Sequence, residues 1–263
     1  MAAGQYRAGR HRKRRSTPPT GILHGTAMTP AHRYASELLH WPEEVVHLET
    51  KLGVAQRLAA RVLDGQCIGI GSGSATYLSL WAIGERARNE GLHLRVITSS
   101  YETEVAASTL GLPIVRLGQA VPDWSIDGAD EVDPDGRVLK GRGGAMFREK
   151  MLWSASGTIV LAIESDKRVE RLGTRWPIPI EVHPDAVGRL AAFLRTRGAT
   201  GALVRTGTGK DGPVITELGC FVLDAHFDEI PQGLSSEIKQ LPGVIETGLF
   251  EGYSFEIVDE LGG

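Results

Sequence analysis

The sequence predicts an α/β protein with a Rossmann-like, doubly wound, mostly parallel sheet and a smaller ferredoxin-like α+β domain. Three observations carry that expectation. From residue 43 onward, short β-branched runs alternate with amphipathic stretches of helical length, the pattern of parallel strands joined by crossover helices. Three polar loops, Gly71–Thr76, Ser99–Thr103 and Asp127–Asp130, each follow one of those runs, where open parallel sheets bind ligands. After Trp176 the order becomes β-α-β-β-α-β, which fits a ferredoxin-like module.

Taken in order, Leu48, Leu52, Ala55, Leu58, Ala59 and Val62 recur at helical spacing, and Gly65 stops that helix. QCIGIG (66–71) reads as a short buried strand, and SATYLSLWAIGERARNE (74–90) as a helix ended by Gly91. HLRVITS (93–99), PIVRL (113–117) and DWSID (123–127) read as strands, with ETEVAASTL (102–110) a helix between the first two. DPDG (133–136) is a turn, GAMFREKMLWSAS (144–156) a helix and GTIVLAIE (157–164) a β-branched strand. PIPIEVH (177–183), GALVRTG (201–207), CFVLDAHF (220–227) and VIETGLF (244–250) are the strands of the second module. DAVGRLAAFLRTRG (185–198) and GLSSEIKQLPG (233–243) are its helices. YSFEIVDE (253–260) is expected to return to the main sheet. The division expected is a Rossmann-like domain over 46–176 plus 249–263 and a small domain over 177–248.

Composition narrows the function classes. The 263 residues are 41% hydrophobic and 23% charged, with a net charge of −3, so the body is not an electrostatic binder of nucleic acid. The longest apolar run, Gly157 to Ile163, is far too short to span a bilayer. Cys67 and Cys220 lie in apolar, strand-like contexts and read as buried reduced thiols. No Cys/His cluster has zinc spacing, and the eight histidines are scattered. Residues 1–45 are different: RAGRHRKRRSTPPTG is basic, poor in large apolar groups and without a signal-peptide core. A disordered tail is expected there, with an anionic contact or a start at Met28 as alternatives.

Two stretches carry chemistry. In GIGSGSAT (69–76), Gly71 and Gly73 permit close backbone approach, Ser72, Ser74 and Thr76 offer hydroxyls, and the helix start offers free amides that favour a phosphate. The bland alternative is a tight βα turn. The stretch is neither a P-loop nor a complete GxGxxG. In IDGADEVDPDGRVLKGRGGAMFREKM (126–151), Asp127, Asp130 and Glu131 follow a strand, and nine residues separate Lys140 from Glu149 across GRGG. Carboxylates with a cation between them are what proton transfer beside a carbonyl requires: one moves the carbon-bound proton, the cation holds the developing oxyanion, and another handles the hydroxyl proton. A structural turn and a metal loop remain open on the same residues, although the EF-hand order is absent.

Together, IDGADEVDP, LKGRGGAMFREKM and GIGSGS resemble the ribose-5-phosphate isomerase type A family, from about Lys51 to the C-terminus. The resemblance implies a metal-free, cofactor-free aldose–ketose isomerase that interconverts ribose 5-phosphate and ribulose 5-phosphate through a cis-enediolate. It puts the proton-shuttling role on Glu149, the oxyanion role on Lys140 and hydroxyl-proton handling on Asp127 or Asp130. Substrate contacts fall on Ser72, Gly73, Ser74 and Ala75, on Asp127, Gly128, Ala129 and Asp130, and on Lys140, Gly141, Arg142 and Gly143. Phosphate-facing lysines fall on Lys51 and Lys167. It also implies the pentose phosphate pathway, the cytoplasm and a dimer or tetramer. Two positions depart from the family pattern: Ala75 replaces a hydroxyl residue, and Arg142 stands where glycine is common. Alternatives are therefore the same chemistry on a modified pentose phosphate, or a non-catalytic sugar-phosphate sensor. A sensor has little need for Glu149 together with Lys140.

Overall fold

The structure, a computed structural model, describes residues 45–262; the expected tail and the Met28 alternative lie outside them. The first half holds α1 (Leu48–Ala60), β1 (Cys67–Ile70), α2 (Ser74–Glu90), β2 (Arg95–Thr98), α3 (Tyr101–Thr109) and β3 (Trp124–Asp127). The chain continues through β4 (Glu131–Val132), β5 (Val138–Leu139), α4 (Met146–Ala155) and β6 (Ile159–Ala162). The second half holds β7 (Ile178–Val182), α5 (Val187–Thr196), β8 (Gly201–Val204), β9 (Phe221–His226), α6 (Leu234–Lys239), β10 (Val244–Thr247), β11 (Leu249–Phe250) and β12 (Glu256–Val258). No helix among the described residues is long and apolar enough to cross a membrane.

Five strands form a parallel sheet in the order β12-β6-β3-β1-β2. Its strands are short and, at its centre, buried on both faces, as β-branched runs covered by helices on both sides must be. The helix of the Gly/Ser loop shows why the local sequence folds as it does. Leu80, Ile83 and Ala87 recur on one face and enter the core, and Gly91 ends the helix in the left-handed region at φ 69°. From β1 the chain crosses to β2 on one side, then to β3 on the other. The sheet therefore has its switch point between the carboxyl ends of β1 and β3, the crevice where such sheets bind ligands. The Gly71–Ser74 loop and Asp127 stand at that point.

The second module forms an antiparallel sheet in the order β10-β7-β9-β8, with α5 and α6 packed through Leu190, Leu194, Leu234 and Ile238. This is the β-α-β-β-α-β arrangement expected from the sequence. YSFEIVDE does return to the main sheet, as β12 beside β6. Both cysteines are free and buried.

Two expectations need correction. PIVRL is not a strand; only a single bridge joins Ile114 to Val96, because residues 115–120 turn away to pack Val115, Leu117 and Ala120 on Cys67, Ile97 and Leu152. VIETGLF is not one strand. It breaks at Gly248, and its second half pairs with β5 in a small third sheet, β11-β5-β4. The break has a local cause: the Gly248 amide donates to Pro179 O at 2.7 Å, and its carbonyl accepts from the Lys140 amide at 3.0 Å. A methyl group at Gly248 would overlap the Lys140 carbonyl and the Pro179 ring.

Gly248→Ala is therefore expected to cost roughly 1–3 kcal/mol of stability, as overpacking does. Gly118→Ala, where nothing lies within 4 Å, is the control. Thermal unfolding of the two variants, with no difference between them, would refute the close-approach account.

Candidate active site

Three charged side chains meet at the switch point. Asp127 ends β3 at 0% exposure, Lys140 follows β5 at 3%, and Glu149 sits in the first turn of α4 at 0%. The Lys140 ammonium lies 3.2 Å from Asp127 Oδ1 and is in direct contact with Glu149 Oε1. Ser72 Oγ donates to the same Glu149 oxygen at 2.6 Å. Glu149 Oε2 is buried and has no hydrogen-bond partner among the described residues. An orphan carboxylate oxygen in a buried site is costly unless something else is to occupy that position.

Asp127 is held by the Gly128 amide at 2.8 Å and by Trp153 Nε1 at 2.8 Å. Trp153 in turn packs on Phe250, with centroids 4.6 Å apart, and on Tyr253 at 5.3 Å. An aromatic floor thus lies under the carboxylate and keeps water from it. Burial is the first cause that pushes the Asp127 carboxyl up, to about 7, against the opposing pull of Lys140 and with the help of Glu149. Lys140 has the reverse balance. Burial pulls it down, but Asp127 and Glu149 more than offset that, and it is raised above the ordinary lysine range. The ammonium therefore stays charged. Gly71 makes the arrangement possible, since a methyl group there would overlap the Asp127 carboxylate.

Asp130 is also raised, first by burial, while Lys140, Arg142 and Lys167 draw it down. It thus shares a neighbourhood with all three cations. Its amide donates to Leu139 O at 2.9 Å, which ties the 127–130 loop to β5. Gly128 and Ala129 line that loop, half-buried. Gly128 faces the first turn of α2: a methyl group on it would lie 3.8 Å from Ser72 O and 4.0 Å from Thr76 Oγ1. A methyl group on Gly143 would lie 3.5 Å from Ser72 Oγ, so the Lys140–Gly143 loop closes over the same place.

Ser72, Gly73 and Ser74 belong to the Gly/Ser loop after β1. They are half-buried at the start of α2, whose first amides lack a side-chain cap. Ala75 points into the hydrophobic core instead. The Thr76 hydroxyl, by contrast, is buried without a partner among the described residues and turned toward Gly128. Lys167 lies half-buried in a short 3-10 turn after β6. Lys51 is buried in α1, and its ammonium is already committed to Glu164 and to the Val46 carbonyl at 2.5 Å. Arg142 is exposed and stacks 4.5 Å over the Trp176 ring.

Two carboxylates of the stretch do other work. Glu131 accepts from the amides of Gly173, Arg175 and Trp176 at 2.6, 2.6 and 3.0 Å, which fixes the loop that carries Trp176. Asp133 accepts from the amides of Asp135 and Arg137 and from the Arg137 side chain, closing the DPDG turn. No group of three or more His, Cys, Asp or Glu among the described residues is placed to hold a metal ion.

The sequence reading missed a cluster beneath α4. Arg148 contacts Glu217 from the second module and donates to Thr98 O at 3.0 Å, with Glu104 at 3.8 Å. Glu217 also caps the Tyr101 amide. Glu102 lies beside this cluster and is pushed up to about 7, by burial first and then by the Glu217 carboxylate. Only the ETE pattern at 102–104 hints at it.

The family model described as Ribose 5-phosphate isomerase A (phosphoriboisomerase A) matches residues 95–259. A ribose-5-phosphate isomerase A of Methanothermobacter thermautotrophicus is 37% identical over 81% of this chain and 94% of its own. One from Archaeoglobus fulgidus is 42% identical over 80% and 92%. Among solved structures, ribose 5-phosphate isomerase A of Methanocaldococcus jannaschii superposes with a TM-score of 0.76 at 34% identity, covering 81% of this chain and 95% of that one. A D-ribose-5-phosphate isomerase in complex with phospho-erythronic acid also superposes with a TM-score of 0.76.

Glu102 gives a test of the electrostatics. Its folded-state carboxyl is raised, so its contribution is full at acid pH and is lost as pH rises from about 4.5 through about 7. Glu102→Gln should match the parent near pH 4 and exceed it near pH 8 by roughly 1–2 kcal/mol, measured by urea unfolding. The same gap at both pH values would contradict the burial argument.

Proposed function

The chain belongs to the ribose-5-phosphate isomerase A family, and we propose that it interconverts ribose 5-phosphate and ribulose 5-phosphate through an enediolate, with Glu149 as the base. One observation supports this reading above the others. Glu149 is wholly buried, its Oε1 is fixed by Ser72 and Lys140, and its Oε2 has no partner among the described residues. A carboxylate anchored by one oxygen and free at the other is suited to carry a proton between two neighbouring carbons.

The remaining roles follow from charge and position. Lys140 stays protonated and offers its ammonium to the oxygen that gains charge as C2 or C1 loses its proton. Asp127, with its carboxyl near neutrality, passes the hydroxyl proton, and Asp130 assists at the mouth of the site. The first turn of α2 at Ser72–Ser74 receives the phosphate, with Lys167 as counter-charge. Lys51 acts through Glu164, to which it is bound, and shapes the end of β6. Gly128, Ala129, Gly141, Arg142 and Gly143 complete the walls. On this reading the chain serves the non-oxidative branch of the pentose phosphate pathway, in the cytoplasm, as a dimer or tetramer, and needs no metal.

Ala75 and Arg142 favour a second possibility in one respect, the identity of the phosphosugar. A panel of pentose and hexose phosphates decides it: the highest kcat/KM should fall on ribose 5-phosphate.

The central test is turnover of ribose 5-phosphate by the purified protein, with and without EDTA. Turnover is expected in both, with Glu149→Gln slower by about 10²–10⁴-fold and Lys140→Met by about 10²–10³-fold. An inactive parent would overturn the function, a fully active Glu149→Gln the mechanism, and inhibition by EDTA the metal-free reading.

A further inference from the structure

The Lys140–Gly144 loop is gripped from the second module. Arg205, just past β8, donates through one nitrogen, Nη1, to the Gly141 carbonyl at 3.0 Å and the Arg142 carbonyl at 2.6 Å. Its Nε donates to Asp224 Oδ2 at 2.8 Å, and its Nη2 contacts Asp224 Oδ1, a two-point clamp between β8 and β9. Both side chains are largely buried, at 18% and 17% exposure.

A trans peptide is planar, with its carbonyl and the following amide pointing opposite ways. Drawing the carbonyls of Gly141 and Arg142 toward Arg205 therefore turns the amides of Arg142 and Gly143 away from it. Neither amide donates to another protein group among the described residues. Gly143 lies against Ser72, whose hydroxyl holds Glu149. We propose that Arg205, itself fixed by Asp224, is a positioning residue that aims the Arg142 and Gly143 amides at the substrate oxygen gaining charge beside Glu149. The inference rests on the isomerase reading above. It adds that the second module sets the geometry of the oxyanion donors, which the parallel sheet alone does not. A guanidinium suits the task because its rigid planar fork holds the carboxylate at two points while the remaining nitrogen reaches two carbonyls, a fixed geometry that an ammonium lacks.

The test uses the full chain and begins with the parent's turnover of ribose 5-phosphate, so that an inactive parent sinks the isomerase reading rather than this one. Arg205→Ala should lower kcat by about 10²-fold, as loss of an oxyanion donor does, while KM changes by less than about threefold. Added ethylguanidine should restore part of the lost kcat. Arg205→Lys keeps the charge and serves if Arg205→Ala does not fold; it should show about a tenfold loss in kcat at unchanged KM. Asp224→Asn should show a smaller loss of the same kind. Parent-like kcat in Arg205→Lys with only a lowered melting temperature would overturn the proposal. So would equal changes in kcat and KM, or a folded Arg205→Ala that ethylguanidine leaves unrescued.

Discussion

Two carboxylates and one ammonium with almost no exposed surface are the constraint on which the rest of this structure turns. Taking charge out of water is expensive, and a lone buried carboxylate would simply take up a proton. Here Lys140 is shared between Asp127 and Glu149, so one cation answers two anions. The balance is left one positive charge short. Burial first, and then the Glu149 carboxylate, lift Asp127 to about 7 against the pull of Lys140, so a proton can come and go near neutrality. The expense of burial and the capacity for proton transfer are the same physical fact.

Much of the surrounding architecture can be understood as keeping that trio in place. Gly71 leaves room for the Asp127 carboxylate, and Trp153 both seals it from water and donates to it. Gly248 lets β11 approach closely enough to take the Lys140 amide. The small β11-β5-β4 sheet, which serves no large core of its own, holds Lys140 at the end of β5. Val222 of β9 packs with Met146 and Trp153 in one apolar cluster, so the second module shares a core with α4, the helix that carries Glu149. Breaking the chain into separate units would cut through this cluster.

The alternation of buried runs and amphipathic stretches made the parallel sheet readable, because strands covered on both faces need continuous apolar character. The site's members were readable where a strand ends directly in a carboxylate, as at Asp127, or where a rigid helix carries one, as at Glu149. Other features were hidden because they depend on contacts distant in sequence. PIVRL has the composition of a strand, but its packing on Leu152 draws it out of the sheet. VIETGLF reads as one strand because nothing local reveals that Gly248 meets Lys140. Lys51 looked like a free phosphate ligand, and only the fold brings Glu164 against it. Arg205 and Glu217 lie far along the chain from the loop and helix they brace, so no local pattern marks them.

The charge distribution across the site also separates two tasks. The trio of Asp127, Lys140 and Glu149 is sealed, whereas Ser72–Ser74, Lys167 and Arg142 are half-buried or exposed. A phosphosugar has the same asymmetry, with a dianionic end that is costly to desolvate and a neutral carbon chain that is not. On the proposed function, seating the phosphate on helix amides at the rim would keep the dianion partly hydrated, while the carbons would enter the dry interior beside Glu149. Ala75 and Thr76 lie at this boundary. Ala75 fills the core and Thr76 turns a buried hydroxyl, unpartnered among the described residues, toward Gly128, so the polar group stays on the helix's first turn but faces the carboxylate loop. On the proposed function, this first turn then bears on the join between the two halves of the substrate rather than on the phosphate alone.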